Sequence, residues 1–312
     1  MILEFNMKNK NKKKFIHLPI IQNIKKYKKT LLPKPNWIKV KLPVQLNNFN
    51  YIKKKLKNKF LHSVCEEALC PNIHECFNNK TATFMILGNI CTRKCPFCAV
   101  SYGRPQPINS EEPNNLSQTV FHMNINYVVI TSVARDDLKD GGAIQFNNCI
   151  KLLRVKKNIK IEILVPDFRN SLKYSIKIIS QQPPDIFNHN LENVPRLYKM
   201  IRPGANYNKS LKLLNYFKTL NPNIPTKSGL MLGLGETDQE IIQVLRDLRS
   251  NGVDMLTLGQ YLQPSIYHIP VQKYVNPEKF KYFKNEALSM GFSNAFCGPL
   301  VRSSYHANLQ IK

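Results

Sequence analysis

From residue 81 onward the chain repeats one pattern: a short apolar run, a polar or glycine-bearing stretch, then a segment of helical character. The apolar runs are 83–90 (TFMILGNI), 127–133 (YVVITSV), 161–165 (IEILV), 185–188 (DIFN), 226–232 (TKSGLML) and 255–259 (MLTLG). Runs of this length, bounded by polar residues or glycine, read as parallel strands covered on both faces. The clearest intervening helix is 238–249. Ile241, Leu245 and Leu248 fall on one face, Thr237 and Glu240 form a capping-box pattern, and Asn251-Gly252 closes it. Six such units predict an α/β fold with right-handed crossovers. A complete eight-unit barrel takes about 250 residues, so the stretch 81–275 suits an open, partial TIM-type (β/α)6 barrel. Around it the sequence divides into a basic arm (1–30), an N-terminal extension (31–80) with a helix near 52–60, and a C-terminal extension (276–312).

Polar residues follow the strands directly. Cys91, Cys95 and Cys98 follow the first run and Arg135-Asp136-Asp137 the second. Then come Asp167 and Arg169, His189-Asn190-Leu191-Glu192, Gly233–Glu236 by number 233–236, and finally 260–263. In a parallel barrel these positions gather on the C-terminal rim, where chemistry sits. Loops are polar in any α/β protein, but that does not account for three cysteines at one rim position.

Composition narrows the function. Of 312 residues, 43% are hydrophobic, which argues against global disorder. No apolar stretch reaches the length of a membrane span, and the first residues lack the pattern of a secretory signal. Eight cysteines without an export signal read as metal or cluster ligands rather than a disulfide framework, and the expected compartment is the cytoplasm. The charge of +26 raises the question of nucleic acid. The excess is mostly lysine, spread along a chain also rich in asparagine and isoleucine. These three share A/T-rich codons, so genome bias accounts for it. Runs at 8–14, 25–29 and 53–59 read as solvated faces, and no RNA-binding signature with interleaved aromatics is present.

Two cysteine sets carry chemistry. The first, Cys91-Thr-Arg-Lys-Cys95-Pro-Phe-Cys98, is C-x3-C-x2-C. Three thiolates this close suit three irons of a [4Fe–4S] cube and leave the fourth iron open. A closed structural zinc site would want a fourth protein ligand. The spacing, on a short loop after a strand, resembles the radical S-adenosylmethionine (SAM) superfamily, in which SAM occupies the open iron. The second set, Cys65, Cys70 and Cys76, is C-x4-C-x5-C. It reads either as an auxiliary cluster or as a zinc knuckle with His74 as fourth ligand. Cys149 and Cys297 read as small buried hydrophobes.

Beyond these motifs, ITSVARDDLKDGGA, FNHNLENVPRLY, RPGANY, PTKSGLMLGLGET, LTLGQYLQPS and the terminal GPLVRSSYHA resemble the lipoyl synthase family over residues 32–310. Ala99 and Ala134 stand where some members carry Asp, and residues 1–30 lie outside the motif resemblance.

The resemblance implies a sulfurtransferase that uses SAM and two [4Fe–4S] clusters. Cys91, Cys95 and Cys98 would hold the SAM-cleaving cluster. Cys65, Cys70 and Cys76 would hold the auxiliary one, with Ser304 of Arg302-Ser303-Ser304-Tyr305 as its fourth ligand. Asp136, Asp137, Gly141, Gly142, Asn190, Glu192 and Arg202 are candidates for the SAM or substrate side. The implied reaction inserts sulfur at C6 and C8 of an octanoyl chain on a carrier lysine, with no acid–base residue. The implied partners are octanoylated lipoyl carrier domains (2-oxoacid dehydrogenase E2 subunits and glycine cleavage H protein), an electron donor of flavodoxin or ferredoxin type, and an iron–sulfur carrier. A monomer without nucleic-acid or membrane partners is expected. The alternatives are a biotin-synthase-like or tRNA-methylthiolating radical-SAM enzyme, and a zinc-containing nucleic-acid-binding protein.

Overall fold

The computed structural model describes residues 32–40, 47–78, 83–155 and 158–310. The basic arm therefore lies outside the described residues. The N-terminal extension contains α1 (Asn47–Asn58), the short β1 (His62–Ser63), α2 (Val64–Glu67) and α3 (Ile73–Asn78). The barrel follows as β2 (Thr83–Ile86), α4 (Glu112–His122), β3 (Tyr127–Ser132), α5 (Ala143–Leu153), β4 (Lys160–Leu164), α6 (Leu172–Ile179) and β5 (Ile186–Asn188). After α7 (Tyr198–Ile201) and α8 (Tyr207–Leu220) come β6 (Thr226–Leu232), α9 (Asp238–Ser250), β7 (Met255–Gln260), α10 (Pro277–Ser289) and β8 (Asn294–Gly298).

All eight strands form one sheet in sequence order. β2 through β8 run parallel, while β1 pairs antiparallel to β2. Because the order runs from β1 to β8 without closing, the barrel is open, as the residue count predicts. The register carries apolar side chains across the sheet, with Phe84 beside Ile130, Ile130 beside Ile163, and Ile163 beside Phe187. Helices cover the outer face. Ile241, Val244, Leu245 and Leu248 of α9 are buried, and Phe217 of α8 stacks on Phe187 of β5 at 3.9 Å. Each such side chain contributes about 1.5–3 kcal/mol of burial. The Thr237–Glu240 capping box is present, so α9 starts where the sequence predicts.

The six predicted strands all form. The sheet also gains β1 and β8, which the patterning did not reveal. β1 has only two residues, too few for any period to show. β8 (NAFCG) lies at the sheet edge with one of its five residues buried, so it lacks a continuous apolar run. The stretch 276–312 thus supplies the last helix and strand of the sheet as well as the terminal motif.

Candidate active site

The loop bearing Cys91, Cys95 and Cys98 leaves β2 at the C-terminal rim and folds back on itself. Cys91 N–H donates to the Ser101 carbonyl (2.8 Å), Gly103 N–H to the Cys91 carbonyl (2.9 Å), and Cys98 N–H to the Cys95 carbonyl (3.0 Å). His268, beyond β7, donates from Nε2 to the Cys98 carbonyl (3.1 Å), which ties the loop to the far side of the rim.

Arg93, between the first two cysteines, fixes the near side. Its guanidinium grips Asp136 through Nε (2.7 Å) and Nη2 (2.6 Å), and Nη2 also reaches Asp167 at 2.5 Å. Burial would raise the Asp167 carboxyl, but Arg93 outweighs it and holds that group below the usual range. Thr92 completes the join, donating to the Ala134 carbonyl (2.9 Å) and accepting from Asp136 N–H (3.1 Å). The loops after β2, β3 and β4 are thereby locked together around the thiols.

Burial pushes the Cys95 thiol up to about 11 and Cys98 to about 12, and the neighbouring thiols add to it. Arg202 and Arg93 pull Cys95 the other way. Thiolates at Cys95 and Cys98 are unfavourable here until cations sit beside them, which is the environment an iron cluster satisfies.

The remaining rim candidates divide into two groups. Asn190, Glu192 and Arg202 gather near Cys95. Arg202 donates from Nη1 to the Asn190 carbonyl and the Tyr198 hydroxyl, both at 3.0 Å. Glu192, in left-handed backbone at φ 72°, is lifted by burial against the pull of Arg202, Asn190 and Arg302. His189 stays neutral: burial, then Arg202, lowers it to about 4. Its Nδ1 donates to the Val165 carbonyl (2.8 Å), and its Nε2 accepts from Ser210 (3.0 Å).

Asp136, Asp137, Gly141 and Gly142 lie between β3 and α5, where they also make local bracing contacts. Asp137 pairs with buried Arg135 at 2.8 Å. Gly142 caps α5 at φ 93°, and a Cβ there would lie 2.2 Å from Leu87 Cδ1. The 233–236 turn is closed by Glu236, which accepts from Gly233 N–H and from Leu234 N–H (3.0 Å).

The second cysteine set lies elsewhere. Cys65, Cys70 and Cys76 line a cavity of about 650 Å³ together with Ser304, Tyr305, Arg302 and the starts of β2, β3 and β4. This places it toward the N-terminal ends of the strands. Burial, then the Cys70 charge, pushes Cys65 up to about 12, although its sulfur accepts from Thr83.

The two adjacent serines separate. Ser303 turns inward and donates to Asn190 Oδ1 (2.9 Å), whereas Ser304 lines the cysteine cavity. A Cβ on Gly229 of β6 would stand 2.9 Å from Asn190 Oδ1 and 3.2 Å from Ser303 Oγ, so the absent side chain leaves room for this crossing. Arg302 lies within electrostatic reach of both Cys70 of the second set and Glu192 of the rim. His74, the fourth ligand of the zinc alternative, stacks on Phe49 at 4.7 Å, and its buried Nδ1 has no hydrogen-bond partner.

Sequence reasoning passed over several functional supports. Arg93 sits inside the first motif, and its signal was a cation between thiols facing two Asp-bearing loops. Lys227 was visible as a lysine inside an apolar run. Its ammonium is fully buried, 2.9 Å from Glu162 Oε1 and 2.6 Å from the Ser303 carbonyl. Glu75, within the second motif, accepts from Tyr305 and His306.

Comparison with known proteins gives the family. The family model of the Radical SAM superfamily matches residues 85–248, and that of the N-terminal domain of lipoyl synthase matches residues 3–70. The latter match includes most of the basic arm, which the motif resemblance left outside. Lipoyl synthase from Buchnera aphidicola subsp. Schizaphis graminum is 66% identical over 279 residues, 89% of this chain and 88% of the relative. That from Buchnera aphidicola subsp. Baizongia pistaciae is 62% identical over 287 residues, covering 92% and 91%. That from Klebsiella pneumoniae subsp. pneumoniae is 57% identical over 313 residues, covering 100% and 97%. Among solved structures, Streptococcus suis SuiB bound to S-adenosylmethionine superposes with a TM-score of 0.52 at 15% identity, covering 80% of this chain and 61% of SuiB. Methylornithine synthase gives 0.51 at 16% identity, covering 67% and 61%. These two show the fold alone. With relatives this similar along nearly their whole length, the chain belongs to the lipoyl synthase family of the radical SAM superfamily.

Proposed function

We propose that this chain inserts two sulfur atoms, at C6 and C8, into an octanoyl chain amide-linked to a lysine of a lipoyl carrier domain. The observation that carries the reading is the pair of separate three-cysteine sites, one at the barrel rim and one toward its floor with Ser304 on its wall. When bound, SAM and the rim cluster supply the 5′-deoxyadenosyl radical that removes hydrogen from each carbon, and the auxiliary cluster supplies the sulfurs. An aliphatic C–H has no useful acidity, so the protein provides no general base; it positions the reactants and excludes water.

We assign Cys91, Cys95 and Cys98 to the rim cluster, and Cys65, Cys70, Cys76 and Ser304 to the auxiliary one. An alkoxide binds ferric iron as a harder ligand than thiolate, which suits a cluster that must come apart. Asn190, Glu192 and Arg202 face the SAM or substrate side, and Arg302 lies within electrostatic reach of Cys70 and Glu192. Asp136 acts through Arg93 to hold the rim loop, and Asp137, Gly141 and Gly142 support the neighbouring turn. The octanoylated domains of E2 subunits and of glycine cleavage H protein are the substrates. A flavodoxin or ferredoxin provides electrons, and an iron–sulfur carrier rebuilds the auxiliary centre. Thiols meant for iron need a reducing compartment, which supports the cytoplasm as the place where the enzyme works.

The test is anaerobic incubation of the reconstituted protein with SAM, a low-potential reductant and an octanoylated carrier domain. Intact-protein mass spectrometry should show the carrier gaining two sulfurs. Formation of 5′-deoxyadenosine without sulfur gain by the carrier would reduce the proposal to SAM cleavage.

A further inference from the structure

The segment after β8 has little regular structure of its own: turns at residues 303–306, then one 3-10 turn (Ala307–Leu309). A ligand on such a segment is placed only as well as its anchors place it. Asn72 donates from Nδ2 to the Leu300 carbonyl (2.8 Å), ahead of the serine. Lys227 donates to the Ser303 carbonyl (2.6 Å), beneath it. Beyond it, Tyr305 donates to both oxygens of Glu75 (3.0 and 2.9 Å) and His306 donates from Nε2 to Glu75 Oε1 (3.0 Å). Glu75 immediately precedes Cys76, and Tyr305 immediately follows Ser304. One carboxylate therefore joins the neighbour of a thiol on the cavity wall to the neighbour of the serine opposite.

We propose that Glu75 is a positioning residue for the auxiliary centre, setting Ser304 against Cys65, Cys70 and Cys76 through Tyr305 and His306. The inference rests on the reading of Ser304 as the fourth ligand and adds what keeps it there. The chemistry requires a carboxylate. Two oxygens accept three donor contacts at once, and the Glu75 side chain, 41% exposed, keeps much of its hydration while doing so. Glutamine keeps the length but offers one oxygen. Alanine keeps α3 intact but releases the segment. Groups that orient a metal ligand without touching the metal typically change metal affinity by about 10–100-fold when removed.

The experiment uses the full chain with Cys91, Cys95 and Cys98 changed to Ala, so that only the auxiliary site loads. Each variant is reconstituted with ⁵⁷Fe and sulfide. Two quantities are read: the Mössbauer subspectrum of the oxygen-ligated iron, and the rate at which the first iron passes to a ferrous chelator. Ser304→Ala sets the benchmark, losing the distinct subspectrum and releasing iron about 10-fold faster or more. Glu75→Ala should match it on both readouts, and Glu75→Gln should fall between it and the parent. If Glu75→Ala takes up no iron, Tyr305→Phe/His306→Ala carries the test, since it removes the donors and leaves the cysteine loop untouched; the same two changes are expected. A Glu75→Ala or Tyr305→Phe/His306→Ala variant with the parent's subspectrum and release rate, beside an altered Ser304→Ala, overturns the positioning role. If Ser304→Ala changes neither readout, the ligand assignment fails first, and the proposal fails with it.

Discussion

Replacing Lys227 by Met tests the barrel interior most sharply. The ammonium and the Glu162 carboxylate are both 0% exposed and 2.9 Å apart. Glu162 also accepts from the Tyr127 hydroxyl (2.6 Å) and Asn188 Nδ2 (2.9 Å). Burial, then the Glu162 charge, pushes the Tyr127 phenol far above its usual range, so it remains a donor. Lys227→Met leaves a buried carboxylate with two neutral donors and no counter-charge. Breaking a buried pair in this way costs about 3–5 kcal/mol, a large part of a total near 5–15 kcal/mol. Adding Glu162→Gln removes the orphaned charge, and its amide gains the otherwise unpartnered Asn188 Oδ1 as an acceptor. The double variant should recover to within about 1–2 kcal/mol of the parent. Denaturant unfolding followed by far-UV circular dichroism, on parent, both single variants and the double, gives the coupling energy directly. A Lys227→Met cost under about 1 kcal/mol, or a double variant no more stable than Lys227→Met, would refute the account of a dry, mutually dependent pair.

Other expected outcomes follow from single contacts. Arg93→Lys keeps the charge but cannot span Asp136 and Asp167 together, so 5′-deoxyadenosine formation and iron retention at the rim should fall about 10–100-fold, read by single-turnover chromatography and iron analysis. His189 takes its proton near pH 6.5 when unfolded but only near 4 when folded, so stability is lost as pH falls through that window. The loss amounts to about 3 kcal/mol, and denaturation midpoints from pH 7 to 4 should show a shallower slope for His189→Gln. Gly142→Ala puts a Cβ 2.2 Å from Leu87 Cδ1 at positive φ. It should destabilise by about 1–3 kcal/mol, and Leu87→Ala should partly relieve it in a thermal-melting comparison.

The barrel was legible because its six principal strands are buried on both faces and so carry continuous apolar runs. α9 was legible to the residue at its start because Thr237 and Glu240 cap it locally. The cysteine sets were legible because their members are close in sequence. What escaped depends on contacts across the chain. β8 is an edge strand with little apolar content, and Arg93 acquires its role only when the loops after β3 and β4 arrive beside it. The choice between Ser303 and Ser304 illustrates the limit. Two identical neighbours are told apart by Asn190, 113 positions away from Ser303, which takes the first of them inward. The same holds for Glu75, whose partners lie 230 and 231 positions away.

We propose two independent cluster sites in one open barrel, the second of them being the source of sulfur. Iron and acid-labile sulfide per chain after anaerobic reconstitution test it directly, comparing the parent with Cys65→Ala/Cys70→Ala/Cys76→Ala. About eight irons should fall to about four, with SAM cleavage retained and sulfur insertion lost. About four irons in both proteins would contradict it, because the cavity beneath Ser304 would then hold no cluster and the sulfur would have to come from elsewhere.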